Sequence, residues 1–229
     1  MTRTLLAALL VLLLAAAPAA AARPRILATG DSMMLLTDRQ LRAALQPAGR
    51  ATVISDVRVA TGLTKPHLFD WQEYATRQTK RKRPGVVVMA MGANEAFPIG
   101  GARCCGARWR VRYAKRVERL ARTWRRGGVE RVYWLTLPAP VESFLTPIIA
   151  GVNAAILRAR GITIIDTRPI LTPDGVFVAE AETSPGVVEK IRSDDGVHLW
   201  WPGARLVAAA IVARLEADGV LPPPAPAAK

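Results

Sequence analysis

Five residues in the 229-residue chain are of types that could do chemistry together: Ser32, Gly62, Asn94, Asp195 and His198. Cleaving an ester by acyl transfer needs a nucleophile, a base, a group that orients the base and donors for the oxyanion. Ser32 closes the triplet Gly30-Asp31-Ser32 after a short apolar run, where a turn into a helix exposes its hydroxyl and places it at a helix N-terminus. His198 is the candidate base. Asp195, three residues earlier, is the candidate orienter, with Asp194 as fallback. The backbone N–H groups of Ser32 and Gly62 and the Asn94 amide are the candidate oxyanion donors, and a residue without Cβ at position 62 lets substrate approach the backbone closely. No G-x-S-x-G motif is present, so the nucleophile elbow of α/β-hydrolases is absent. Asp31 reads as a cap carboxylate and His67 as a surface or packing residue.

Elements that can bring these residues together follow from hydrophobic periodicity. Short β-type runs are expected at Arg25–Thr29, Ala51–Val59, Gly85–Met91, Val129–Leu137 and Ile162–Asp166. Helical stretches alternate with them: after Ser32 to about Leu45, after Trp71, along the basic segment through Arg126, over Ile148–Arg160 and over Pro202–Ala217. The run Gly-Val-Val-Val-Met-Ala-Met at 85–91 is apolar on both faces, as in a parallel sheet covered by helices on both sides. Tyr113, Val117, Leu120, Ala121 and Trp124 form an apolar stripe on a helix whose other face carries arginines. Strand alternating with helix implies right-handed crossovers and a doubly wound α/β domain of about five parallel strands. In such a sheet, ligands bind beyond the carboxyl ends of the strands, where Ser32, Gly62 and Asn94 are expected to emerge.

Gly30-Asp31-Ser32, Gly62, Gly92-Ala93-Asn94 and Asp195-Gly196-Val197-His198 together, in this order, resemble the four blocks of the SGNH (GDSL) hydrolases. The resemblance runs from Arg25 to about Ala217. It implies a flavodoxin-like three-layer sandwich, catalytic roles for Ser32, Asp195 and His198, and an oxyanion hole at Ser32, Gly62 and Asn94. The stretch Thr61–Pro66 with Phe69-Asp70-Trp71 resembles a secreted branch of that superfamily. Two departures stand out. Glu95 replaces the aspartate many members carry after the block-three asparagine, and Leu199-Trp200-Trp201-Pro202 replaces a Leu-Thr-Pro that follows the histidine.

Composition limits the remaining possibilities. Hydrophobic residues make up 51% and charged residues 22%, which excludes a disordered chain. Residues 1–22 combine Arg3, a thirteen-residue apolar run from Leu5 to Ala17 and small residues at Ala20–Ala22, the order of a secretory signal peptide; an uncleaved anchor is the alternative. Residues 23–220 read as one hydrolase-type domain and 221–229 as a disordered Pro/Ala tail. Either way the domain is expected outside the cytoplasm, secreted or periplasmic. There the net charge of +14 that the full chain carries suits anionic envelope polymers rather than nucleic acid. Two Cys and two His supply no disulfide framework and no zinc cluster, so neither metal nor cofactor is expected. The adjacent Cys104 and Cys105 admit a vicinal disulfide, an intermolecular pair or buried thiols. The function that combines these readings is a serine ester hydrolase working through an acyl-enzyme on O-acyl, often O-acetyl, groups of envelope carbohydrate. An O-acyltransferase using the same Ser32, or a catalytically silent carbohydrate-binding or accessory protein, are the alternatives.

Overall fold

The computed structural model describes residues 23–222; the expected signal peptide and the end of the Pro/Ala tail lie outside them. Strands β1 (Arg25–Gly30), β2 (Thr52–Val57), β3 (Val86–Ala90), β4 (Arg131–Leu135) and β5 (Thr163–Ile165) form one parallel sheet in the order 2-1-3-4-5. Every residue of β3 is buried, because the strand lies in the middle of the sheet with helices over both faces. Helices α1 (Thr37–Leu45) and α6 (Trp201–Ala217) pack together in one layer. In the other, α3 (Ala107–Arg126) packs between α2 (Trp71–Lys82) and α4 (Thr146–Ile156). The α3 stripe from Tyr113 to Trp124 is fully buried, joined by Trp109 one turn earlier. The three-layer α/β sandwich expected from the alternation of strand and helix is therefore the fold.

The sheet register sets the height at which the site loops leave. Gly30 pairs with Val57 on one side and Ala90 on the other, so β1, β2 and β3 end level. At Gly30 (φ +148°) a Cβ would stand 1.8 Å from the Ala90 carbonyl oxygen, so only glycine lets the two strand ends run this close.

Three local features differ from the sequence expectation. Between β1 and α1 there is a separate 3₁₀ turn, Ser32–Met34, and Leu36 (φ +66°) breaks the chain before α1 starts at Thr37. The segment between β5 and α6 holds a short helix α5 (Arg168–Leu171) and an antiparallel hairpin, β6 (Glu180–Ser184) and β7 (Val187–Lys190), which no periodicity announced. The domain also reaches past its expected end. Leu221, assigned above to the tail, is buried in the core, and the Pro222 carbonyl accepts a hydrogen bond from Arg50 Nη2 at 2.8 Å.

Candidate active site

Asp31, fully buried at the end of β1, organises the first loop. Its Oδ1 accepts from the Met33 N–H at 2.9 Å, capping the 3₁₀ turn and turning the half-buried Ser32 outward. The turn is three residues long, so the α-helix dipole expected behind Ser32 is not what supports this position; the local N–H groups are.

His198 comes from the loop between β7 and α6, with its Nε2 2.8 Å from Ser32 Oγ. On the other side of the ring, Nδ1 lies 2.6 Å from Asp195 Oδ2. Asp195 Oδ1 accepts from the Ser193 hydroxyl at 2.6 Å and from the Val197 and His198 N–H groups at 2.9 Å each. Burial alone would raise this carboxyl, but those donors and the imidazole outweigh it and hold it well below the usual carboxylate range. Asp195 therefore stays ionised beside the ring. Asp194 points elsewhere: its carboxylate is 95% exposed and ion-paired with Lys190. Ser32, His198 and Asp195 are thus brought into one hydrogen-bonded line, and the fallback acid is outside it.

Two buried carboxylates tie the other loops to this line. Asp31 Oδ2 accepts from the Gly92 N–H at 3.0 Å and from Asn94 Nδ2 at 3.2 Å, which fixes the Asn94 side chain beside the Ser32 turn. An amide nitrogen carries two hydrogens, so one remains for a substrate. Burial, reinforced by the charge of Glu95 and opposed by the Gly92 and Met33 N–H groups, raises Asp31 to about 6. Glu95, completely buried, accepts from the Leu63 N–H at 2.6 Å, the Thr64 N–H at 2.8 Å, the Thr64 hydroxyl at 2.6 Å and the Tyr113 hydroxyl at 3.0 Å. Its carboxylate passes so close under Gly62 that a Cβ there would lie 3.0 Å from it. The N–H groups of Ser32 and Gly62 find no acceptor among the described residues. The longer side chain at position 95 thus has a structural use: it reaches under the second loop and holds its backbone.

One positioning residue carried no sequence signal. Arg192 is 1% exposed and pairs with no carboxylate among the described residues. It donates to the carbonyls of Ala139 at 2.9 Å, Gly196 at 3.1 Å and Val197 at 3.0 Å, with its guanidinium over the Phe177 ring. Burial lowers its pKa to about 10, against the opposing influence of Asp195. This interior cation thus joins the Val141 N–H, which donates to the Gly196 carbonyl at 3.0 Å, in holding the loop that carries Asp195 and His198. His67 is exposed and takes no part in the site. Cys104 and Cys105 are joined as a vicinal disulfide, seated against Gly151 of α4. Among the described residues, no three His, Cys, Asp or Glu side chains converge as metal ligands, and no helix is long and apolar enough to cross a membrane.

A family model described as "Protein of unknown function (DUF459)" matches residues 25–214, nearly the whole domain. The chain belongs to that family. No curated protein sequence matches it. Among solved structures, a GDSL-like lipase from Bacteroides thetaiotaomicron superposes with a TM-score of 0.56 at 16% identity, covering 85% of this chain and 88% of that one. A structure described as a possible lipase from Chitinophaga pinensis gives 0.54 at 13% identity, covering 86% and 99%. The lipase Lip_vut3 from a goat rumen metagenome gives 0.50 at 15% identity, covering 83% and 96%. The resemblance of this DUF459 chain to the SGNH (GDSL) hydrolases thus holds across the whole fold.

Proposed function

We propose that this DUF459 protein is an SGNH-type serine ester hydrolase acting through an acyl-enzyme. The observation that carries the reading is the Ser32–His198–Asp195 line, with hydrogen bonds of 2.8 and 2.6 Å, together with Ser32 and Gly62 N–H groups that find no acceptor among the described residues. In this mechanism His198 Nε2 takes the Ser32 proton as Oγ attacks the ester carbonyl. The Ser32 and Gly62 N–H groups and Asn94 Nδ2 donate to the tetrahedral oxyanion. The imidazolium, held against ionised Asp195, then gives its proton to the departing alkoxide and leaves an acyl-serine. Water, deprotonated by the same imidazole, attacks the acyl carbon; the oxyanion collapses, Ser32 regains its proton and the carboxylic acid leaves.

The side chains of His198 and Asp195 are 33% and 49% exposed, so water reaches the base, which favours hydrolysis over transfer to a second hydroxyl. The signal-like N-terminus and the net charge of +14 support an extracytoplasmic protein and an O-acylated, often O-acetylated, envelope carbohydrate as substrate. Incubating the purified protein with p-nitrophenyl acetate, with and without a fluorophosphonate, tests the chemistry. Labelling and turnover are expected in the parent and absent in Ser32→Ala, whose thermal unfolding stays normal. Unchanged hydrolysis by Ser32→Ala would overturn the mechanism.

A further inference from the structure

The second oxyanion loop does not close the molecule on its outer side. A pocket of about 200 Å³ opens next to Gly62 and shares Gln72 and Arg119 with a neighbouring groove of about 710 Å³ between α2 and α3, where the Thr123 hydroxyl donates to Gln72 Oε1 at 2.8 Å. The groove ends beside Gly127, past the last turn of α3. The twelve residues of α2 that flank it span about 18 Å. The two depressions therefore follow one another from the Gly62 loop down the flank of the domain.

Its charge is unbalanced. Arg116 and Arg119 line the end near Gly62, and Lys80 and Arg126 the far end. Among the described residues none of the four makes an ion pair. The two carboxylates that border the groove are already engaged: Asp70 caps α2 by accepting from the Gln72 and Glu73 N–H groups, and Glu73 pairs with Arg77. Between the cations the groove walls include the polar side chains of Thr76, Thr123 and Gln72. Leu63, Phe69 and Trp71 add apolar surface to the end near Gly62, so it is the four cations that call for a charged ligand rather than a neutral one.

We infer that the α2–α3 groove binds a strand of an anionic polysaccharide, with carboxylate or phosphate groups along it, and leads one of its O-acyl groups to Ser32. This rests on the esterase reading above, and supplies the substrate class that reading leaves open. The hydroxyl and amide walls complement sugar hydroxyls. The cations fix charge-bearing units without contacting the reacting ester, so they act on polymer binding and not on the chemical step.

Binding can be measured apart from turnover. Polygalacturonate is titrated into Ser32→Ala protein and into Ser32→Ala with Arg119→Glu and Arg126→Glu, at low salt and at about 0.5 M salt, where the screening length falls to a few ångströms. The parent is expected to bind at low salt and release in high salt, and the reversed protein to bind about tenfold or more weakly. Arg119→Gln with Arg126→Gln gives a smaller loss and serves if the reversal disturbs folding. In protein with Ser32 intact, the reversal should cut acetyl release from acetylated polygalacturonate while p-nitrophenyl acetate and neutral acetylated xylan are cleaved as before. Equal polygalacturonate binding by parent and reversed proteins overturns the inference. So does a parent that binds phosphatidylglycerol vesicles but no polygalacturonate. If no ester is cleaved by any protein yet the titrations differ as stated, the esterase reading falls and the groove stands.

Discussion

At the residue scale, the two adjacent aspartates show how geometry separates identical chemistry. Asp195 accepts three hydrogen bonds besides its contact with His198 Nδ1, whereas Asp194 faces solvent and Lys190. An ionised Asp195 selects the imidazole tautomer that leaves Nε2 able to take a proton, and it stabilises the imidazolium. An amide cannot do the second and favours the wrong tautomer. Asp195→Asn is therefore expected to lower kcat by up to about 10⁴-fold, as removal of the acid does in a serine-protease triad. Asp194→Asn breaks only an exposed ion pair, worth little to stability and nothing to the ring. Steady-state kinetics of both variants on one ester decides the matter; equal losses would remove Asp195 from the orienting role.

At the level of elements, no regular structure carries Asp195 and His198. They sit on a loop between β7 and α6, and such loops are ordinarily the most easily moved parts of a domain. Arg192 supplies the missing rigidity through its three carbonyl contacts. Arg192→Met keeps bulk and removes every donor, so the loop loses its anchor while the Ser32 turn is untouched. Displacing a reacting group by about 1 Å costs on the order of 10²-fold. A drop of that size in kcat, with KM little changed, is expected. Arg192→Lys should recover only part of it, since an ammonium cannot span carbonyls that a planar guanidinium reaches together. Thermal unfolding measured on the same proteins separates loop geometry from loss of fold. Full kcat in Arg192→Met would show that the loop holds itself.

For the whole molecule, the notable expenditure is two buried carboxylates under the site. Asp31 and Glu95 knit the loops after β1, β2 and β3 into one floor, and burial raises both. A carboxyl raised in the folded state contributes stability that is fully present below its unfolded value of 3.8 and is lost as pH rises through about 6. The difference of roughly two units for Asp31 corresponds to about 3 kcal/mol. Asp31→Asn has no such titration. The stability gap between the two proteins should therefore move in favour of the variant by up to about 3 kcal/mol between pH 4 and pH 7. Urea unfolding of both at the two pH values checks the sign; a gap that stays constant or moves toward the parent would mean Asp31 is not held in this way. Ionisation at neutral pH makes Asp31 the stronger acceptor for Asn94, so stability is exchanged there for a fixed Asn94 side chain.

Much of the architecture and of the site is legible in the amino-acid sequence by itself. The apolar 85–91 run and the Tyr113–Trp124 stripe announce a covered parallel sheet, because hydrophobic periodicity directly reflects which faces are buried. Ser32, Gly62, Asn94, Asp195 and His198 are legible because each follows or precedes an element in a fixed order. The 3₁₀ turn at Ser32 and the β6–β7 hairpin are not, since segments this short carry too few residues to show a period. The choice between Asp194 and Asp195, the reach of Glu95 under Gly62, and the service of Arg192 to a loop beside it and to Ala139 are decided by tertiary structure alone. Sequence determines which faces must be buried, and so which strands and helices form and where their ends meet. Which acid turns inward, and which buried charge finds enough donors or carbonyls to remain there, depends on contacts between residues far apart in the chain, and only the folded chain creates them.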